Sequence, residues 1–201
     1  RVVAIGAGPR GDFRNAHIRD VTATIAQTAN KVRASGVAFV LPALGASRET
    51  QLIQFATEGL YLGTYRFGRY LTGDDAKRPQ TFASFAVYRD VKGAKPSAGQ
   101  SRTFEAAVRR GQTIAAAVNH ARDLINEPAA AMTPKALAAD AQAIAKKHKG
   151  ALTVTVLDPK QCAALGMGMF LAVGQGSDEE SRFIHITYKP AKKPKKKVAF
   201  I

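Results

Sequence analysis

Apolar residues recur along this chain with two different periods, and the points where the period changes mark out the elements. From Asn15 to Ala34 they fall at Ile18, Val21, Ile25, Ala29 and Val32, steps of three and four residues that line one face of an α-helix. Gly36 is expected to end it. Val37 to Leu41 is a continuous apolar run stopped by Pro42, and Ser47 is placed to cap a second helix carrying Leu52, Ile53, Ala56 and Leu60 on one face. Arg1 to Ile5 reads as a strand, Gly6 to Gly11 as a turn and Phe82 to Tyr88 as a further strand. Strands alternating with helices in this way predict a parallel α/β layer.

Lys92 to Gln100, with its Gly, Pro and Ser, reads as a linker and a domain boundary. Beyond it Phe104, Val108, Gly111, Ile114, Ala115, Val118 and Ile125 form one long helical stripe. It must stop before Pro128, because proline disfavours helical geometry in the residue preceding it. Thr133-Pro134 is an N-cap followed by proline at the first helical position, opening a helix through Leu137, Ala141 and Ile144 to a stop at Gly150. Leu152 to Leu157 is a strand, Asp158-Pro159 starts a short helix by the same device, and Arg182 to Tyr188 and Lys197 to Ile201 read as two strands joined by a lysine and proline loop. No internal repeat is present.

The expected organisation is therefore an α/β protein in three parts. Residues 1–98 form a small N-terminal α/β domain, mainly a parallel sheet flanked by helices and lacking its first strands. Residues 99–127 form a connecting helix, and 128–201 the start of a larger α/β/α domain. The opening on Arg1 and the close on apolar Val198-Ala199-Phe200-Ile201 are expected of a chain cut from something longer, since unpaired backbone in a buried strand is costly.

Composition narrows the class without changing this outline. With 201 residues, 46% of them apolar, the chain can bury one large core or two modest ones. No apolar run approaches the ~18 residues of a membrane span, and no secretory layout opens the chain, so a soluble, cytoplasmic protein without a membrane partner is expected. Cys162 is the single cysteine, which excludes an internal disulfide and a cysteine-only zinc cage. Net charge is +15, divided almost evenly as +7 over residues 1–100 and +8 over 101–201, with six lysines between Lys189 and Lys197. Such a charge suits nucleic acid or acidic surfaces when it gathers on one face, and along the sequence it is spread. The lysine run is most simply a solvated loop.

Several patterns invite chemistry. Gly6-Ala7-Gly8-Pro9-Arg10-Gly11 follows an apolar run and matches G-x-G-x-x-G, the turn that cradles a dinucleotide pyrophosphate on a helix N-terminus. Here Asp12-Phe13-Arg14-Asn15 delays the helix and brings a carboxylate where phosphate would sit, and the next strand ends in Val40-Leu41-Pro42 with no acid for a ribose. A tight turn is the better account. Arg10-Gly11-Asp12 matches an adhesion tripeptide, a match too short to carry meaning. His17, His120, His148 and His185 are scattered and none has a second ligand at metal-binding spacing. No G-x-S-x-G elbow exists, and Asp178-Glu179-Glu180 reads as a loop.

Three longer stretches carry more information. Glu58-Gly59-Leu60-Tyr61-Leu62-Gly63-Thr64-Tyr65-Arg66-Phe67-Gly68-Arg69-Tyr70 follows E-G-x-x-L-x-x-Y-x-F-D-x-Y, with Gly68 in place of aspartate. Asn119-His120-Ala121-Arg122-Asp123-Leu124-Ile125-Asn126-Glu127-Pro128-Ala129, then Met132-Thr133-Pro134, follows N-x-A-R-D-L-x-N-x-P-(A/G)-N-x-x-(T/S)-P, with Ala130 in place of asparagine. Gly166 to Ser177 follows M-G-x-x-x-x-V-x-x-G-S, a strand and turn. Together they resemble the leucyl (cytosol) aminopeptidase family over most of residues 50–201.

The resemblance implies an exopeptidase that releases N-terminal residues, often leucine, from peptide substrates. It implies two divalent metal ions, manganese, zinc or magnesium, that polarise the scissile carbonyl and activate a bridging water, and a homohexameric assembly. In the family the strand equivalent to Val198-Ala199-Phe200-Ile201 leads into G-K-G-x-T-F-D-S-G-G, which supplies a lysine and an aspartate to the metals. Catalytic, cofactor-binding and metal-ligating residues are therefore all expected beyond Ile201, none can be assigned within residues 1–201, and this segment alone is expected to bind no metal and to be inactive. The alternatives are a nucleic-acid-binding role, which the charge suits, and a catalytically dead scaffold.

Overall fold

The computed structural model describes residues 2–41, 46–77, 84–89, 95–148, 150–192 and 194–200. They form two compact units, residues 1–125 and 126–201, and the architecture is mixed α/β.

In the first unit, helix α1 (His17–Lys31) packs on α2 (Ala46–Gly63), and strand β1 (Gly36–Leu41) lies parallel to β2 (Ser84–Arg89). Gly36 faces Ser84 and Leu41 faces Arg89, so β1, α2 and β2 make a parallel crossover unit. Ile18, Phe39, Leu41, Leu52, Ile53, Ala56 and Ala107 form the buried core. The predicted stripe Leu52, Ile53, Ala56 and Leu60 is buried as expected. A 3₁₀ turn (Arg10–Asp12), a short helix α3 (Gly73–Ala76) and the 29-residue α4 (Ala98–Asn126) are the other described elements of this part of the chain.

Several boundaries differ from the sequence expectation, each for a local reason. Helix α1 ends before Gly36. Arg33 adopts a left-handed φ of 54°, its N–H donates to Asn30 O, and Ala34 N–H donates to Ala29 O, the two-bond closure that satisfies the last carbonyls of a helix. Helix α4 begins at Ala98, inside the stretch read as a linker. Ser97 Oγ accepts from Gln100 N at 3.3 Å, while Gln100 Oε1 accepts from Ser97 N at 2.9 Å, a reciprocal capping box. Residues 2–5 form no strand, because β1 and β2 pair only with each other among the described residues and a strand exists through its partner's ladder. Pro42, the Ser47 side chain, Phe82 and Lys92 to Ala94 lie outside what is described.

The second unit opens with α5 (Pro134–Lys147), whose N-cap Thr133 accepts from Ala136 N at 3.2 Å as its sequence predicts. Strand β3 (Leu152–Leu157) follows, then α6 (Pro159–Ala164), α7 (Gly168–Gly174) and β4 (Phe183–Tyr188), which runs antiparallel to β3. Asp158 and Gln161 close a full capping box at α6. The Gly166 to Ser177 stretch, expected to be a strand and turn, is instead helix α7. Gly166 at φ 72° ends α6, with Met167 N–H donating to Cys162 O, and Phe170 then meets Phe183 edge-on at 5.7 Å. Residues 197–200 form no strand, with Phe200 97% exposed, because β4 has β3 as its only partner among the described residues.

Candidate functional site

The residues that carry two of the three sequence motifs meet in space within the first unit. Their meeting begins with glycine. A side chain on Gly59 would strike the Arg19 carbonyl and the Thr22 hydroxyl, and one on Gly63 would stand 2.6 Å from both Cα and O of Ala23. The two glycines lie four apart, hence on one face of α2, and let the backbone of α1 come close. Gly111 does the same for α4, where a Cβ would lie 2.7 Å from Gln54 O and 2.8 Å from Thr57 Cβ. Helix α2 is thus held between α1 and α4 by small residues.

Polar groups finish the joint. Glu58, 2% exposed, accepts from Arg19 Nε at 2.8 Å and from Gln54 Nε2 at 2.8 Å, and Arg19 Nη2 lies 2.5 Å from the same carboxylate. The Arg19 guanidinium also sits over the Phe55 ring at 4.6 Å. At the C-terminal end of α2, where helical carbonyls lack intrahelical donors, α4 supplies them. Asn119 Nδ2 donates to Tyr61 O at 3.2 Å and Arg122 Nη1 to Leu62 O at 3.2 Å. A cation there also opposes the negative end of the helix dipole. Tyr65 OH donates to Asp123 Oδ1 at 2.9 Å, its ring lies 5.3 Å from the Arg122 guanidinium, and Gln112 Nε2 donates to Tyr61 OH at 2.9 Å.

Asn119, Arg122 and Asp123, polar residues of the second motif, dock one helix against another. Gly68 and Ala130, the two departures from the motifs, lie in turns: Gly68 O accepts from Leu71 N, and Ala130 lies inside the turn in which Pro128 O accepts from Ala131 N and Met132 N.

The remaining sequence candidates stay apart. Only a single 3₁₀ turn, Arg10–Asp12, lies at the glycine turn, closed by Asp12 N–H donating to Pro9 O at 3.1 Å, and α1 starts later at His17, so among the described residues no α-helix N-terminus faces it. His17 Nδ1 accepts from Arg14 N at 3.2 Å, and Glu180 pairs with Arg182 at 2.6 Å. Among the described residues no three His, Cys, Asp or Glu side chains converge in a way that could hold a metal ion. Cys162 is buried.

Comparison with known proteins adds the family. The family model described as the cytosol aminopeptidase family, N-terminal domain, matches residues 1–74, and that for the catalytic domain of the same family matches 119–201. A probable cytosol aminopeptidase of Acaryochloris marina is 34% identical, covering 100% of this chain and 38% of its own length. That of Nostoc punctiforme is 35% identical with the same coverage. Among solved structures, a mutant tomato leucine aminopeptidase shares the fold at a TM-score of 0.79 and 23% identity, covering 96% of this chain and 36% of its own. A bottromycin maturation enzyme in complex with Mn matches at 0.72 and 28%, covering 93% and 36%. The chain thus spans about 38% of the length of the curated relatives it matches.

Proposed function

This chain belongs to the cytosol aminopeptidase family, and from that premise we propose that it is the N-terminal portion of a metal-dependent exopeptidase that releases N-terminal residues, leucine among them, from peptides. The observation that carries the reading is the joint just described. The segments around Tyr65 and Arg122, far apart in sequence, bind each other through Tyr65–Asp123, Arg122–Leu62 and Asn119–Tyr61, which gives both family motifs a physical reason to be present together.

In this reading residues 1–98 are an assembly domain, 99–127 a connecting helix and 128–201 the approach to the active site of a cytoplasmic homohexamer. The described residues do not fit a two-metal centre, since no three ligating side chains converge. The family resemblance is what leads this reading to assign the metal ions, manganese or zinc, and the residues that hold them to sequence beyond Ile201, and no catalytic step is derived from this chain. Support for the metal comes from the Mn complex of the bottromycin maturation enzyme.

The test is hydrolysis of leucine amide by the 201-residue segment and by the full-length protein, each with manganese and with a chelator. Chelator-sensitive turnover by the full-length protein alone is expected. Turnover by the isolated segment would overturn the assignment of the chemistry elsewhere, and an inert full-length protein under every metal would point to a scaffold.

A further inference from the structure

The third motif, Gly166 to Ser177, takes no part in the α2–α4 joint, and the helix it forms has no polar face. From Ala163 to Gly174 the chain carries no polar side chain. In α7 the half-buried residues are Phe170 and Leu171, with Phe170 set against Phe183 of β4. Met169 and Val173 stand four residues apart and so share a face. Each helical step turns by about 100°, which carries that face away from Phe170 and Leu171. Met169 is 90% and Val173 88% exposed, and Leu165, in the turn before the helix, is 66% exposed.

Single exposed apolar residues are ordinary on a protein surface. A helix apolar on every side is not, because surface helices keep a polar face and an all-apolar helix is buried all round. Val173 is also the valine of M-G-x-x-x-x-V-x-x-G-S, so a position the motif fixes is one that the described residues leave bare. The sheet beside α7 needs further cover too. Strands β3 and β4 form a two-stranded sheet among the described residues, and two strands alone are marginal in water. On β4, Ile186 and Tyr188 are 51% and 66% exposed.

We propose that the Met169–Val173 face of α7 is the seat on which the remainder of the catalytic domain, in the same polypeptide beyond residue 201, packs an apolar surface and makes α7 an internal helix. The inference rests on the reading of this chain as the N-terminal portion of a longer exopeptidase. The catalytic-domain family model matches residues 119–201, and the chain spans only 38% of the length of a curated relative, so the domain to which α7 belongs has far more sequence to fold against it. A segment of the same polypeptide also meets α7 at an effective concentration of roughly millimolar, without the cost of bringing two molecules together. A lipid surface is the poorer fit. Interfacial helices pair their apolar side with a face rich in Lys and Arg, whereas α7 carries no charge and Asp178, Glu179 and Glu180 follow it.

The experiment uses the full-length protein and hydrogen peroxide, which converts accessible methionine to its sulfoxide, with oxidation of Met169 read by peptide mass spectrometry. Met169 is expected to react about tenfold or more slowly in the folded protein than in urea, the factor by which burying one methionine side chain disfavours its exposed state. That protection should persist on dilution from micromolar to nanomolar protein. Val173→Asp should abolish it. Val173→Ala, which deletes two methyl groups and adds no charge, should reduce it in a protein that circular dichroism shows to be folded, so the test survives if Val173→Asp does not fold. Met169 oxidised as fast in the folded protein as in urea would overturn the proposal. So would protection lost on dilution, which would put a second copy on this face, or protection that neither substitution changes. The readout is independent of turnover: an inert full-length protein with Met169 protected would sink the exopeptidase reading alone, and an active one with Met169 accessible would sink this proposal alone.

Discussion

Replacing Gly59 by alanine should destabilise the first unit, although the same change elsewhere in a helix would stabilise it. Glycine to alanine within a helix is worth about 1 kcal/mol in favour of alanine. At Gly59 the added methyl would overlap the Arg19 carbonyl and the hydroxyl of Thr22, a residue that is fully buried and whose hydroxyl already donates to Ile18 O at 2.8 Å. Neither obstacle can rotate aside, because one is helix backbone and the other is held by it. Helix α1 must therefore move away from α2 and loosen the packing of Ile18 and Ala26. Overpacking of a well-filled core costs ~1–3 kcal/mol, and with backbone as the obstacle the upper part of that range, ~2–3 kcal/mol, applies, so after the propensity gain a net loss of about 1–2 kcal/mol remains. Gly99, in the first turn of α4, is the internal control: a Cβ there meets only Ser97 Oγ at 4.0 Å, and Gly99→Ala should be neutral or stabilising by up to about 1 kcal/mol. Urea denaturation of the full-length protein, with amide exchange reporting on α1 and α2, reads both. A Gly59→Ala protein as stable as the parent, or the same sign of change at both sites, would refute the close approach of α1 and α2.

The Arg19–Glu58 pair should respond asymmetrically. Arg19→Met strands a carboxylate that is 2% exposed and should cost about 3 kcal/mol, whereas Glu58→Gln leaves Arg19, with its side chain 37% exposed, free to be hydrated and should cost about 1 kcal/mol; equal losses by denaturation would contradict the burial. At the motif joint, Tyr65→Phe and Asp123→Asn should each cost about 0.5–1.5 kcal/mol and together little more than either alone, and strict additivity in a double-mutant cycle would mean the Tyr65–Asp123 hydrogen bond contributes nothing.

Much of the local structure was legible because its causes are local. The stripe Leu52, Ile53, Ala56 and Leu60, the Thr133-Pro134 and Asp158-Pro159 starts and the β3 run were all readable from spacing and cap chemistry, and the structure places them accordingly. Misreadings arose where two local signals competed. Gly36 appeared to be the stop for α1, yet Arg33 closes the helix three residues earlier through bonds to Ala29 and Asn30 that spacing does not reveal. Ser97-Ala98-Gly99-Gln100 looked like linker composition, although Ser three residues before Gln is a capping-box signature that was there to be found. At Gly166 to Ser177 the motif suggested a strand, but a run of Met, Phe, Leu and Ala between glycines follows directly on the α6 stop and coils into α7.

For the candidate site the division is different. Family membership was legible from residue order, since Tyr65, Arg122 and Asp123 stand in motifs recognisable one at a time. What those side chains do was not, because Tyr65 and Asp123 are joined only by the packing of α2 on α4 across Gly111. The same holds for charge. The sequence by itself determined that the chain is basic, lacks a disulfide and alternates helix with strand, all properties of neighbouring residues and their sum. Only the tertiary structure decided that Lys146 and Lys189 share an end while Asp158 and Glu180 take the other, because an antiparallel ladder fixes which distant residues become neighbours, and no local period encodes that choice.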